Sequence, residues 1–258
     1  MYKEFYDKQY EKGRYANTLN MEQHAFYKIL HKYILKYDEK YFRKEKVKCL
    51  EIGSGRGALQ DIVEDYTGVD YASTVESYYH KNFVNASATE LPFENDTFDL
   101  IWSYAVLEHI PDPELALEEM LRVVVPGGHL ILAPAWHCRP WAADGYQVRP
   151  YSDFKLKGKI YKFFIPFLDS LPVRAIGQLF PRAVAWVKVK FSKSPLKLQY
   201  KKLRANYEVF WQSDSDACNS LDPLVMIYWF ESRGFKCVSH TTFLSRLLLR
   251  HGEIDIQC

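Results

Sequence analysis

The sequence predicts an α/β fold built on a doubly wound, mostly parallel sheet of seven strands. Three observations carry that expectation. Short apolar runs that read as buried strands alternate with segments of helical spacing. The first of these strands runs straight into a glycine-rich turn, Gly53-Ser54-Gly55-Arg56-Gly57. The second ends on an acid, Asp70, in the order expected of an open sheet that binds a ligand at its carboxyl edge.

Element by element, residues 1–20 are rich in Tyr, Lys and Glu, and from 21 to 38 Phe26, Leu30, Tyr33, Ile34 and Tyr37 fall on one helical face. Residues 47–52 form a buried strand entering the glycine turn, and residues 58–65 leave room for a short helix. Residues 66–71, 82–85 and 98–103 read as the second, third and fourth strands. Pro111-Asp112-Pro113 opens a helix carrying Leu115, Leu117, Met120, Leu121 and Val124, and Pro126-Gly127-Gly128 stops it. Residues 129–133 are the fifth strand.

The alternation then breaks. Residues 135–220 are expected to be an insertion of short helices and loops, with Pro166, Pro172 and Pro181 interrupting any long amphipathic helix. It resumes with a helix from Asp222-Pro223 through Phe230, closed by Gly234, and two last strands at 235–238 and 253–256. The expected organisation is an N-terminal helical cover (1–44), a ligand-binding core (45–134 with 221–258) and a substrate-binding insertion (135–220).

Composition narrows the function classes. The chain of 258 residues is 48 % apolar and 26 % charged with a net charge of +2, which suits a globular protein and gives no general attraction to nucleic acid. Five cysteines, none at C-x-x-C spacing, point to reduced thiols and no metal site. No apolar leader and no stretch of about 18 uncharged apolar residues is present, so a cytoplasmic protein without a membrane span is expected.

Glycines at 53 and 55 allow a tight turn and close approach of backbone to ligand, and Asp70 is placed to accept from two ribose hydroxyls. With Ala58 the turn also satisfies the dinucleotide pattern G-x-G-x-x-A, so spacing alone leaves a nicotinamide cofactor, and hence a dehydrogenase, open. Glu51, two residues before the first glycine, suits a ligand with an ammonium group and would repel a pyrophosphate.

Six blocks follow in order over residues 50–128. They are Leu50-Glu51-Ile52-Gly53-Ser54-Gly55-Arg56-Gly57, Gly68-Val69-Asp70, Ala88-Thr89-Glu90-Leu91-Pro92-Phe93, Phe98-Asp99-Leu100-Ile101, Val106-Leu107-Glu108-His109-Ile110 and Leu121-Arg122-Val123-Val124-Val125-Pro126-Gly127-Gly128. This stretch resembles the class I S-adenosylmethionine (SAM)-dependent methyltransferases, in particular the type 11 group related to the ubiquinone-biosynthesis C-methyltransferases. The resemblance implies a Rossmann-like core, SAM as cofactor and S-adenosylhomocysteine as product. It implies that Glu51, Gly53, Ser54 and Gly55 hold the methionine part, Asp70 the ribose and Tyr71 the adenine side, with Ser103 and Tyr104 facing the sulfonium. Ser87 stands where the family commonly has an acid contacting the adenine amino group, which leaves that contact to a hydroxyl or to the Ala88 backbone.

A hydroxyl acceptor needs a base near neutrality. His109, after the fourth strand, is the first candidate and His137, beside Trp136 and Trp141, the second. Trp211 with Asp214 and Asp216 resembles a sugar-binding run, equally an ordinary loop before a helix, and Trp141, Tyr10 and Tyr15 are further candidates to line an acceptor. Where enzymes that methylate exocyclic amines of DNA bases carry an Asp/Asn-Pro-Pro-Tyr/Phe block, this chain reads Ser103-Tyr104-Ala105-Val106, so no nucleic-acid partner is expected. The expected function is O-methylation of a sugar or sugar nucleotide in bacterial surface-glycan (capsule or lipopolysaccharide) biosynthesis. The alternatives are another small metabolite, such as a quinone-like ring, an amine or a phosphorylated compound, or a non-catalytic SAM-binding protein. The Phe-rich 159–191 segment also leaves peripheral membrane contact open.

Overall fold

The computed structural model describes residues 2–13, 22, 24–41, 47–191 and 194–258. A seven-stranded sheet runs in the order β3-β2-β1-β4-β5-β9-β8. Its strands are β1 (Lys48–Ile52), β2 (Asp65–Asp70), β3 (Asn82–Asn85), β4 (Phe98–Tyr104), β5 (Val124–Ala133), β8 (Lys236–Cys237) and β9 (Ile254–Gln257). β1 to β5 are parallel, and only β9 runs against its neighbours. The chain builds outward from β1 to β3, then returns to the other side of β1 for β4. That reversal opens a cleft at the carboxyl ends of β1 and β4.

Strand alternation decides which layer each residue joins. Leu50, Ile52, Ile101, Leu130 and Leu132 point to one face, where α3 (Pro113–Val123) and α6 (Pro223–Glu231) cover them through Leu117, Met120, Met226 and Phe230. Cys49, Leu100, Trp102 and Ile131 point to the other, under Phe26 and the α2 (Tyr27–Tyr41) residues Leu30, Tyr33 and Tyr37. Four of the five residues expected on that helix face are buried, and Ile34 is half-buried. The second layer is also pinned by polar groups: the Tyr37 hydroxyl donates to Asp255 on β9, whose other oxygen lies 2.9 Å from His129 Nδ1 on β5. α3 and α6 start as their sequences predict. Asp112 and Asp222 accept from the free N–H groups of their first turns, and a proline follows each.

Three expectations need correction. Residues 58–64 form turns, not a helix. Gly53, Gly55 and Gly57 all have positive φ, so helical backbone cannot begin before residue 58, and only a few residues remain before β2. The helix before β5 stops at Val123, and Pro126-Gly127-Gly128 lies inside the strand.

The third correction concerns the insertion. It carries α4 (Leu156–Leu168) and α5 (Leu171–Phe191), the latter 21 residues long. Pro172 sits in the first turn of α5, where no N–H partner is lost, and Pro166 lies near the end of α4. Pro181 is interior and forfeits one backbone hydrogen bond, which the rest of a long helix offsets. The remaining elements are α1 (Tyr2–Glu11), α7 (Phe243–Leu247) and a small ladder of β6 (Lys201–Lys202) with β7 (Asn219–Ser220). Among the described residues, no single helix is long and apolar enough to cross a membrane.

Candidate active site

A cavity of about 520 Å³ lies at the switch between β1 and β4. The turn after β1 forms its floor. The N–H groups of Gly53 and Ser54 donate to Val69 O at 2.8 and 3.0 Å, which folds the turn back over β2. Gly53 is required there twice over: its φ is +70°, and a Cβ would lie 2.1 Å from Val106. Gly55 leaves a similar opening below the Tyr10 hydroxyl.

Two buried acids close the cofactor half of the cavity. Glu51, on β1, accepts from the Tyr66 hydroxyl at 2.5 Å. Burial pushes its carboxyl up to about 8, against the pull of that hydroxyl. Asp70 ends β2 and accepts from Gly55 N and Ala72 N, each at 2.8 Å, and from the Tyr10 hydroxyl at 3.4 Å. Burial raises it too, with the two backbone N–H groups working against the rise. Ser54 accepts from the Tyr79 hydroxyl at 2.7 Å, which fixes the turn from beneath. The residues present fit SAM. Two buried carboxyl groups stand at the ends of a glycine cradle, one suited to an ammonium group and the other to ribose hydroxyls. A cation beside Glu51 would offset the burial that now disfavours its charge.

The half away from the cradle is built from segments far apart in sequence. The 3₁₀ turn Leu107–His109 follows β4 and presents His109. Asn219 Nδ2 donates to Leu107 O and Ile110 O at 2.9 and 2.8 Å, and Cys218 N donates to Glu108 O at 2.9 Å. These bonds clamp the segment before α6 onto the 3₁₀ turn and set Asp216 Oδ2 3.1 Å from His109 Nδ1. Glu108 Oε1 lies 3.7 Å from Nε2. Burial pulls the His109 imidazole down, but Asp216, Glu108 and Asp214 outweigh it and hold it at about 9. Glu108 and Asp214 are raised by burial. α1 crosses above both halves, with the Tyr6 hydroxyl donating to Asp216 at 3.3 Å and Arg56 donating to Tyr10 O at 2.6 Å.

The expected cofactor residues Glu51, Gly53, Ser54, Gly55, Asp70, Tyr71, Ser87, Ala88 and Tyr104 all line this one cavity, as do His109, Tyr10, Asp214 and Asp216. The Ser87 hydroxyl is engaged with Thr89, 2.7 Å from its Oγ1 and 3.2 Å from its N. Ser103 is buried on β4 and does not reach the cavity.

His137 lies outside it, facing Asp222 at 3.9 Å, and burial together with Arg182, Arg174 and Arg139 lowers it to about 4. That imidazole is a neutral packing group. Trp141 is buried, and Trp211 carries the Arg149 guanidinium 4.6 Å above its ring; neither lines the cavity. Tyr15 lies outside the described residues. Tyr6, which with Tyr10 and Tyr15 is expected from the sequence to cover the cofactor, lines the cavity as well, and so do His24, Glu108 and Phe210, which the sequence does not single out. Only Glu108 had a signal, its place beside His109 in the Val106–Ile110 block.

Residues 50–132 match the family model described as a methyltransferase domain. The chain is 34 % identical over 95 residues to the chloroplastic tocopherol O-methyltransferase of Arabidopsis thaliana, covering 36 % of this chain and 27 % of that protein. It is 32 % identical over 109 residues to the sterol 4-C-methyltransferase strm-1 of Caenorhabditis elegans, covering 36 % and 33 %. It is 32 % identical over 133 residues to the demethylmenaquinone methyltransferase of Staphylococcus aureus (strain MRSA252), covering 46 % and 53 %. The chain thus spans about half the length, or less, of these curated relatives.

Proposed function

Because residues 50–132 are a methyltransferase domain of the type 11 group of class I SAM-dependent methyltransferases, we propose that this protein methylates a small acceptor carrying an acidic hydroxyl or an activated ring, of the quinol kind. The observation that carries the proposal is His109, held beside Asp216 in the same cavity as Glu51 and Asp70. Two of the relatives' names support the acceptor class, tocopherol and demethylmenaquinone, while the third relative acts on a sterol. A surface-glycan acceptor has no counterpart among them, and Trp211, the aromatic platform that a sugar would use, carries Arg149 over its ring and does not line the cavity. In this reading residues 45–134 and 221–258 bind the cofactor, while 1–44 and 135–220 cover it and shape the acceptor space.

SAM, when bound, supplies an electrophilic methyl group for in-line displacement. The residues provide the rest. Glu51 holds the ammonium end and Asp70 the ribose, with the cradle of Gly53 and Gly55 fixing the distance between them. Tyr104 stacks on Phe26 at 5.1 Å between centroids and makes a rigid wall. His109 takes the acceptor's proton on Nε2, since Nδ1 faces Asp216. An imidazole near 9 is a weak match for an alcohol and a good one for a phenol, whose own value is about 10.

Turnover should therefore rise with pH toward about 9, as His109 loses its proton. His109→Gln should abolish that rise and lower turnover by about 10²- to 10⁴-fold, with SAM affinity retained. The assay is release of S-adenosylhomocysteine with a prenylated hydroquinone and, in parallel, a nucleotide sugar. Turnover of the sugar alone would overturn the acceptor class. An unchanged rate in His109→Gln would remove the base.

A further inference from the structure

Among the described residues, the two insertion helices carry about half of the exposed large apolar side chains. Of the residues in α4 and α5 only Ile165, Arg182 and Ala185 are buried. The inner side is anchored at few points. Ala185 packs with Leu224, Val225 and Tyr228 of α6, and Arg139 Nε grips Asp169, at the corner between the helices, at 2.6 Å. The outer side is apolar and open: Phe163 is 69 % exposed and Phe180 76 %, with Phe164, Phe167, Ile176 and Leu179 beside them in sequence also exposed. An exposed apolar surface of this kind marks an interaction site.

Its charge identifies the partner. Residues 155–191 carry eight Lys and Arg (Lys155, Lys157, Lys159, Lys162, Arg174, Arg182, Lys188 and Lys190) against one acid, Asp169, and all but Arg182, which is buried against Asp222, are at least partly exposed. That is a surplus of seven in a chain whose net charge is +2, so the remainder is net acidic. Large apolar side chains interleaved with lysines fit the boundary of an anionic bilayer, where rings enter the acyl region and ammonium groups stay among the headgroups. A second copy would bring like charge against like charge. The helices together have the length and hydropathy of a span, but they meet at 81°, a geometry that suits lying in an interface.

We infer that α4 and α5 dock this protein onto an anionic membrane surface. The inference stands on the outer surface and does not depend on the acceptor. It does place the cavity close behind the membrane. Lys162 of α4 donates to Arg149 O at 2.8 Å, Arg149 lies over Trp211, and the chain continues from there to Ser213 and Asp214 in the cavity wall.

The test is co-sedimentation of the full chain with phosphatidylcholine vesicles, with and without a quarter phosphatidylglycerol. Binding is expected to the anionic vesicles and to fall with salt. The double variant Phe163→Asp/Phe180→Asp should lose it by tenfold or more. Lys157→Glu/Lys188→Glu should weaken binding by on the order of tenfold or more. Both variants should keep the wild-type circular dichroism and SAM affinity, because neither pair of side chains touches the core or the cavity. Absence of wild-type binding to anionic vesicles, or unchanged binding in the Phe double variant, overturns the inference. A concentration-dependent dimer that the Phe variant dissolves, without vesicle binding, would assign the face to a second copy and overturn it equally.

Discussion

Glu51 and His109 are opposite cases of one rule. Burial favours the neutral form of each, and neighbours decide whether that form prevails. Around Glu51 the Tyr66 hydroxyl and the Trp102 indole oppose burial without overcoming it, and the carboxyl stays up at about 8. Around His109 three acids overcome burial and hold the imidazole charged to about 9. The sign for ligand binding follows. With Glu51 as the proposed partner of the ammonium group, SAM binding below about pH 8 should expel a proton. Affinity for SAM should rise by about tenfold per pH unit from 6 toward 8 and fall at higher pH, where the ligand's own ammonium group loses its proton. Calorimetry in buffers of different ionisation heat would show the released proton. Glu51→Gln should bind more weakly and with no such slope; a slope that survives the substitution would place the titrating group elsewhere.

At the scale of elements, the hairpin of α4 and α5 depends on one buried cation. Arg182 Nε donates to Asp222 Oδ2 at 2.8 Å, and its two other nitrogens donate to Leu247 O and Leu249 O at 2.8 and 2.7 Å. It thereby joins α5, the cap of α6 and the end of α7. Arg182→Ala leaves Asp222 and two carbonyls short of a partner. A loss of about 3–5 kcal/mol in denaturant unfolding is expected. A loss below about 1 kcal/mol would mean that the hairpin is held by Ala185 and its apolar neighbours alone.

These elements also mark how far the sequence could be read. β1, β2, β4, β5 and α6 were legible as apolar runs buried on both sides, and α2 and α3 as an apolar period along one face. The cofactor half was legible because Glu51, the glycines and Asp70 lie within twenty residues of one another on consecutive elements. The other half was not. His109 and Asp216 meet only through Asn219 and Cys218, a pairing across more than a hundred residues that leaves no local pattern. Trp211 is a similar case: it lies outside the cavity lining, and Arg149, which lies over its ring, is remote in sequence. The helices α4 and α5 were hidden by their prolines, which read as breaks although one sits in a first turn and another near an end.

The molecule as a whole is two ligand spaces under one short helix. The parallel sheet brings the ends of β1, β2 and β4 to a common edge, and the insertion supplies the far wall. α1 touches both, with Tyr10 on Asp70 and Tyr6 on Asp216. Coupling between the two halves of the cavity is therefore expected. A ligand that draws Asp70 away from Tyr10 alters the footing of the helix whose other end steadies Asp216, so each occupant changes the other's residence, by reciprocal linkage. Tyr6→Phe, a change at the acceptor end, should then weaken S-adenosylhomocysteine several-fold, and the bound product should slow amide hydrogen exchange along Tyr2–Glu11. If neither moves, the spaces fill separately. If both do, ten residues at the start of the chain act as a tally of occupancy, relaxed when the cleft is empty and tightest when donor and acceptor are both in place.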